Sequence, residues 1–149
     1  MNTLLKIYTD GGSRGNPGPA ACAFVAILDG SLIFKKAQYL GKATNNEAEY
    51  GAVILALRWV VDNKDKYSFK RIVFILDSEL VARQLVGLYK VKSDNLKVIA
   101  RKIRNVQDSL KDMEISFVSV KRENNVLADR MVNEKLDEKS REFHVRKVS

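Results

Sequence analysis

At 149 residues the chain is long enough for one domain with a real core, and its 46% hydrophobic and 30% charged residues exclude a disordered or membrane-spanning protein. The formal net charge of +8 favours a polyanionic partner. Cys22 is the only cysteine, which excludes an internal disulfide and any zinc site built on cysteines. With no basic-then-apolar leader and no apolar run of bilayer length, a cytoplasmic protein without a membrane partner is expected; it is also expected to be a monomer.

Residues 3–9 read as a strand that ends in Asp10-Gly11-Gly12-Ser13-Arg14-Gly15-Asn16-Pro17-Gly18-Pro19, a dense turn signal. Strands over 21–28 and 32–40 follow, joined by the Asp29-Gly30 hairpin signal. Thr44-Asn45-Asn46-Glu47 is a capping box, and it opens a helix to about Val61 that is apolar on nearly every side and therefore buried. Residues 72–76 form the unbroken β-branched and aromatic run of a central parallel strand. Asp77-Ser78 caps a helix to about Val86, and Ser93-Asp94-Asn95 caps another to about Leu110. A strand over 115–120 precedes a last helix over 124–138, with Leu127, Ala128, Met131, Val132 and Leu136 on its inner face. This order predicts an α/β fold with a mixed sheet and helices on both faces. One domain is expected over 1–138, followed by a basic, unpatterned tail over 139–149 in which Phe143–Val148 leave a short strand open.

Between Arg83 and Arg104 seven cations (Arg83, Lys90, Lys92, Lys97, Arg101, Lys102 and Arg104) face one acid, Asp94, which is six of the eight net charges. A solvated helix face is the bland explanation. Yet Lys97, Arg101 and Arg104 fall at i, i+4 and i+7 on one stripe, while Leu96, Ile99, Ile103, Val106 and Leu110 form another. A basic stripe beside an apolar one suits a phosphate-docking surface.

Asp10 stands at the carboxyl end of the first strand and Asp77 at that of the fourth, where ligands of open α/β sheets bind. If these strands are parallel neighbours, the two carboxylates converge, and Glu49 and Asp129, each early in a helix, can join them. The glycines after Asp10 let a substrate backbone approach closely. Four such acids repel one another unless cations occupy the cluster. Oxygen-only ligands select Mg²⁺ or Mn²⁺, and two such ions would clamp an in-line displacement at phosphorus. Singly, each acid has a plainer reading: Asp77 as an N-cap, Asp129 as a first-turn residue favoured by the helix dipole. Asp10, between a strand and a glycine loop, has no capping duty.

Tyr8 to Ala20 resembles the opening motif of type 1 ribonucleases H, and Thr44-Asn45-Asn46-Glu47-Ala48-Glu49-Tyr50 resembles their second, whose final acid is the ligand. That selects Glu49 over Glu47. Asp77-Ser78-Glu79-Leu80-Val81 is similar to the third motif, and Arg122-Glu123-Asn124-Asn125-Val126-Leu127-Ala128-Asp129 to the fourth. The resemblance implies the ribonuclease H-like fold, a five-stranded mixed sheet of three antiparallel and then two parallel strands. It implies an endonuclease cutting the RNA strand of RNA–DNA hybrids with two Mg²⁺ ions (Mn²⁺ substituting), leaving 5′-phosphate and 3′-hydroxyl ends, with some activity on double-stranded RNA. Gly11, Gly12, Ser13 and Asn46 would sense the RNA near its 2′-hydroxyls. Asn16, Thr44 and Asn45 would grip the DNA strand or its phosphate, although Thr44 also has its capping duty.

Two departures stand out. Many relatives carry a histidine before the last helix, where this chain has Lys121-Arg122-Glu123; its only histidine, His144, lies in the tail and reads as a surface residue. The long basic, tryptophan-bearing insertion of some bacterial members is missing, and Trp59 falls in the buried helix as a core residue. Grip on the substrate then falls to Lys90, Lys92, Lys97, Arg101 and Arg104. The alternative function is a non-catalytic hybrid- or RNA-binding module of the same fold, which the presence of all four acids disfavours. An integrase- or transposase-like nuclease predicts a different acid spacing and no Gly-Asn-Pro-Gly loop.

Overall fold

The computed structural model describes residues 3–87 and 90–148. Along the chain run β1 (Leu4–Ser13), β2 (Gly18–Leu28), β3 (Ser31–Ala43), α1 (Asn45–Tyr67), β4 (Arg71–Leu76), α2 (Glu79–Leu85), α3 (Asp94–Asp108), β5 (Glu114–Ser119), a 3₁₀ turn (Arg122–Asn124) and α4 (Val126–Val148). The sheet order is β3-β2-β1-β4-β5. The β1–β2 and β2–β3 pairs are antiparallel, and β1–β4 and β4–β5 are parallel, as the motifs implied.

Each face of the sheet has its own core, and β2 serves both. Phe24 and Ala26 point to the larger core with Leu5, Ile7, Tyr50, Val53, Leu57, Ile72 and Phe74. Ala21 and Ala23, on the opposite face, meet Val132 and Leu136 of α4. Those alanines keep the second face flat, so that α4 lies close against it. α3 closes the larger core through Leu96 and Ile103, seven residues apart on one side, and Leu110 in the turn after the helix joins them. Trp59 stacks on Phe34 at 5.3 Å and leans on Phe24, Tyr67 and Phe69, a packing role as expected.

Several boundaries differ from expectation for identifiable reasons. The glycine run after Asp10 does not turn at once: Gly11, Gly12 and Ser13 pair with Cys22, Ala21 and Ala20, and the turn begins at Arg14. α1 runs past Val61 to Tyr67, because Asp62 to Lys66 continue it as a solvated extension that Ser68 ends in the left-handed conformation (φ 53). The largest difference is at the carboxyl end. Residues 139–148 extend α4 instead of forming a loose tail or a strand. Lys135–Glu138 and Lys139–Glu142 pairs along the helix, and Arg14 gripping Asp137 at 2.6 Å, favour the helix across the expected break at 138.

Candidate active site

Parallel pairing of β1 with β4 sets Tyr8 opposite Ile75, so Asp10 and Asp77 lie two residues further along each strand, side by side at the carboxyl edge. α1 brings Glu49 to the same point. Carboxylate oxygens of Asp10, Glu49 and Asp77 all lie within 4.8 Å of one another. Asp129, in the first turn of α4, lines the same cavity of about 370 Å³ with Asp10, Glu49 and Arg122. The structure thus brings all four predicted acids to one place, with Asp129 at its margin.

Local capping decides which acids are available. Glu47 closes the capping box, accepting from the Thr44 N–H at 3.0 Å while its own N–H donates to the Thr44 hydroxyl at 3.1 Å. Glu49, one half-turn on, is left to the site. The cap of α2 is Ser78, whose Oγ accepts from the Val81 N–H at 3.2 Å. Asp77 therefore has no capping duty, and the plainer reading of that acid fails. Asn125, almost fully buried, donates from Nδ2 to the Thr9 carbonyl at 2.8 Å, tying the start of α4 to the residue before Asp10.

The electrostatics of the cluster suit a bound cation. Burial, then the charges of Asp77, Asp129 and Glu49, push the Asp10 carboxyl from 3.8 up to about 8. Burial raises Glu49 from 4.5 to about 7 against a hydrogen bond from Ser78, with Asp77 raising it further and Arg122 lowering it. Asp77 is raised by burial, with Arg122 and a hydrogen bond from Asp10 opposing. Glu49 Oε2 and Asp77 Oδ2 are buried and lack a hydrogen-bond partner. Orphaned acceptors of this kind are costly unless a cation satisfies them, and an all-carboxylate donor set fits a hard divalent ion.

A stability consequence follows. A carboxyl whose folded pKa lies above its unfolded value stabilises the fold below that unfolded value, near 4, and the benefit is lost as pH rises through about 7 for Glu49 and about 8 for Asp10. Divalent cation should therefore raise the melting temperature more at pH 8.5 than at pH 5.5, where protons already hold the site. At a hundredfold excess over Kd the gain is about 2.7 kcal/mol. Thermal unfolding with and without Mg²⁺ at the two pH values checks this; equal shifts would contradict a cation site at these acids.

Arg122 is the residue whose importance the sequence understated. It opens the 3₁₀ turn before α4, and its Nε lies 3.9 Å from Asp129 Oδ1. Its charge also lowers both Glu49 and Asp77. The only signal in the sequence was Lys121-Arg122-Glu123 standing where the resemblance led to the expectation of a histidine.

Around the acids, the glycine-loop and capping-box residues interlock. Asn45 Oδ1 accepts from the Ser13 N–H at 2.9 Å and its hydroxyl at 3.1 Å, and Asn16 Oδ1 accepts from the Asn45 N–H at 3.0 Å. Both asparagines thus spend their carbonyls on the scaffold and keep their Nδ2 groups as donors. Gly11 lines the cavity and has a further duty: a Cβ there would stand 2.2 Å from the Ala48 carbonyl oxygen, so its bareness admits the backbone of α1. Gly12 lines the cavity, and a Cβ there would meet only ordinary van der Waals contacts, with Asn45 and Val132 at 3.9 Å. Asn46 is half-buried at the start of α1. Farther out, Lys90, Lys97, Arg101 and Arg104 converge on a second cavity of about 350 Å³ with Gln84 in its wall. Lys92 is exposed outside that cavity, and Leu88 and Tyr89, in the same short link, fall outside the described residues. His144 lines a third cavity, which none of the four acids lines.

The model of the family described as Reverse transcriptase-like matches residues 9–135. A Ribonuclease HI of Halobacterium salinarum is 38% identical over 135 residues, which are 90% of this chain. The chain belongs to the type 1 ribonuclease H family. Within that family, the structure of LC11-RNase H1 in complex with an RNA/DNA hybrid superposes with a TM-score of 0.84 at 40% identity, covering 90% of this chain and 97% of that one. A Bifunctional protein of Mycobacterium tuberculosis is 36% identical over 135 residues, 89% of this chain. This ribonuclease H chain spans 65% of the length of the halobacterial relative and 35% of the mycobacterial one. No helix among the described residues is long and apolar enough to cross a membrane.

Proposed function

We propose that this protein is an endonuclease that hydrolyses the RNA strand of RNA–DNA hybrids, with Asp10, Glu49, Asp77 and Asp129 holding two Mg²⁺ ions, or Mn²⁺ in their place. The observation that carries the reading is the convergence of Asp10, Glu49 and Asp77 within 4.8 Å, two of them with orphaned buried oxygens. Cations bound there would supply Lewis-acid stabilisation of the charge that develops at phosphorus. The chain supplies the rest. Ser78 and the capping box fix Asp77 and Glu49, Asn125 holds α4 to β1, and Arg122 offsets the excess negative charge. Gly11, Gly12, Ser13 and Asn46 meet the RNA strand near its 2′-hydroxyls, and the Nδ2 groups of Asn16 and Asn45, with Thr44 beside them, meet the DNA strand. Double-stranded RNA presents the same 2′-hydroxyls and is a slower substrate on this reading. We place the enzyme in the cytoplasm as a monomer; Cys22 is a buried free thiol whose pKa burial pushes to about 12, leaving it inert.

The reading is tested by end analysis of cleaved hybrid: a 5′-phosphate that a phosphatase removes and a 3′-hydroxyl that a polymerase extends. Cyclic phosphate ends would point to attack by the RNA's own 2′-hydroxyl and would exclude it.

Lys90, Lys97, Arg101 and Arg104, gathered at one cavity, are assigned to backbone phosphates beyond the cut, with Lys92 beside them. The combined Lys97→Ala, Arg101→Ala, Arg104→Ala variant should bind hybrid more weakly. The slope of log Kd against log salt should become shallower by about 2 to 3, since each lost phosphate contact removes about 0.9. Titrations at several salt concentrations measure it, and an unchanged slope would reduce the stripe to a solvated face.

A further inference from the structure

α4 holds to the sheet through Val132 and Leu136, packed on Ala21 and Ala23. With 23 residues it is about 34 Å long, and beyond Leu136 it leaves that small core. There a cavity of about 320 Å³ opens under the helix, with Tyr39, Phe143, Arg14, Lys139 and His144 in its walls. Arg14 and Leu136 line both this slot and the acid cavity, so the two adjoin. Its volume is at the lower end of small-ligand sites, which suits one flat group.

The lining combines aromatic surface with cations. Phe143 is 49% exposed although it could have been a polar residue on that helix face, and Tyr39 carries Lys139 Nζ at 5.6 Å from its ring centre. Arg14 pairs with Asp137 at 2.6 Å and Lys139 with Glu142 at 3.2 Å, both in exposed settings where ion pairs are weak and readily exchanged for a phosphate. Aromatic faces flanked by Arg and Lys are the chemistry that takes an unpaired base and its phosphate, whereas a paired base is already stacked within its duplex.

We infer that this slot is a subsite for an unpaired nucleotide flanking the hybrid, its base against Phe143 and Tyr39 and its phosphate at Lys139 and Arg14. The inference extends the proposed hybrid nuclease, since it makes the junction between hybrid and single strand a preferred place to bind.

The test is equilibrium binding without divalent cation, read by fluorescence anisotropy. The probes are hybrids of one duplex length, blunt or carrying a short single-stranded extension at one of the four strand ends. One extension should lower Kd about tenfold relative to the blunt hybrid, the scale of one base stacked on an aromatic side chain. In Phe143→Ala and in Lys139→Ala that ratio should fall towards one, and in Phe143→Tyr it should persist. Circular dichroism shows whether the Phe143→Ala helix end stays folded, and Lys139→Ala decides if it does not. No advantage for any extension, equal advantages at all four ends, or an advantage that survives both alanine variants would overturn the subsite. Cleavage of the blunt hybrid in Mg²⁺ is scored separately, so a failed subsite and a failed nuclease reading give different results.

Discussion

Asp10→Asn and Asp77→Asn should each lower Mg²⁺-dependent cleavage of a labelled hybrid by more than about 100-fold while hybrid binding stays within a few-fold of wild type. Groups that merely orient a metal ligand cost roughly 10–100-fold when removed, and these two carboxylates are ligands in the present account. An asparagine keeps the shape and loses the charge, so a cation would bind weakly or out of place. The change cannot be put down to unfolding. Both acids are held above their ordinary pKa values, first by burial and then by neighbouring carboxylates (Asp77, Asp129 and Glu49 for Asp10, Asp129 for Asp77), so deleting one charge relieves the metal-free protein. At pH 8 without metal each variant should melt at or above the wild-type temperature, and added Mg²⁺ should stabilise it less. Kinetics, binding and melting on the same preparations make the check; cleavage within tenfold of wild type by either variant would remove that acid from the site.

Gly11→Ala should cost about 3 kcal/mol or more of stability and most of the activity. The added methyl would stand 2.2 Å from the Ala48 oxygen, 2.3 Å from its carbonyl carbon and 2.6 Å from the Glu49 nitrogen. All three are backbone atoms, so no side chain can rotate away and β1 and α1 must separate. Overpacking of a core usually costs about 1–3 kcal/mol, and contact with fixed backbone places this site at the upper end. The displaced segment carries Glu49 itself, so loss of stability and loss of cleavage arise from one movement. Gly12→Ala is the control, because its nearest neighbours are 3.9 Å away. It should fold as wild type. Urea unfolding of both variants checks the prediction, and a Gly11→Ala midpoint equal to that of Gly12→Ala would refute the close approach.

Most of the architecture was legible because the signals that define it are local. The capping box marked the start of α1 and separated Glu47 from Glu49, and the β-branched run of residues 72–76 marked β4. The acids were legible for the same reason: each sits where a recognisable element begins or ends. What the sequence hid depends on partners distant in the chain. The packing duty of Gly11 was hidden because nothing local shows that α1 presses on it. Asp77 and Ser78 were equal candidates for a cap until the geometry showed the Ser78 hydroxyl at the Val81 amide. The last turns of α4 carried no apolar period to announce them, and Arg14, over a hundred residues earlier, helps to hold them through Asp137. Arg122 was visible only as the lack of a histidine; its position between Asp129 and the other acids is a property of the fold.

Incubation of the purified protein with labelled RNA–DNA hybrid, duplex RNA and duplex DNA, each in Mg²⁺ and in Mn²⁺, tests the central claim most directly. The expected result is metal-dependent cutting of the RNA strand of the hybrid, slower cutting of duplex RNA and no cutting of duplex DNA. A protein that binds the hybrid but leaves it intact in both metals would contradict the account, and the four converging acids would then need an explanation other than catalysis.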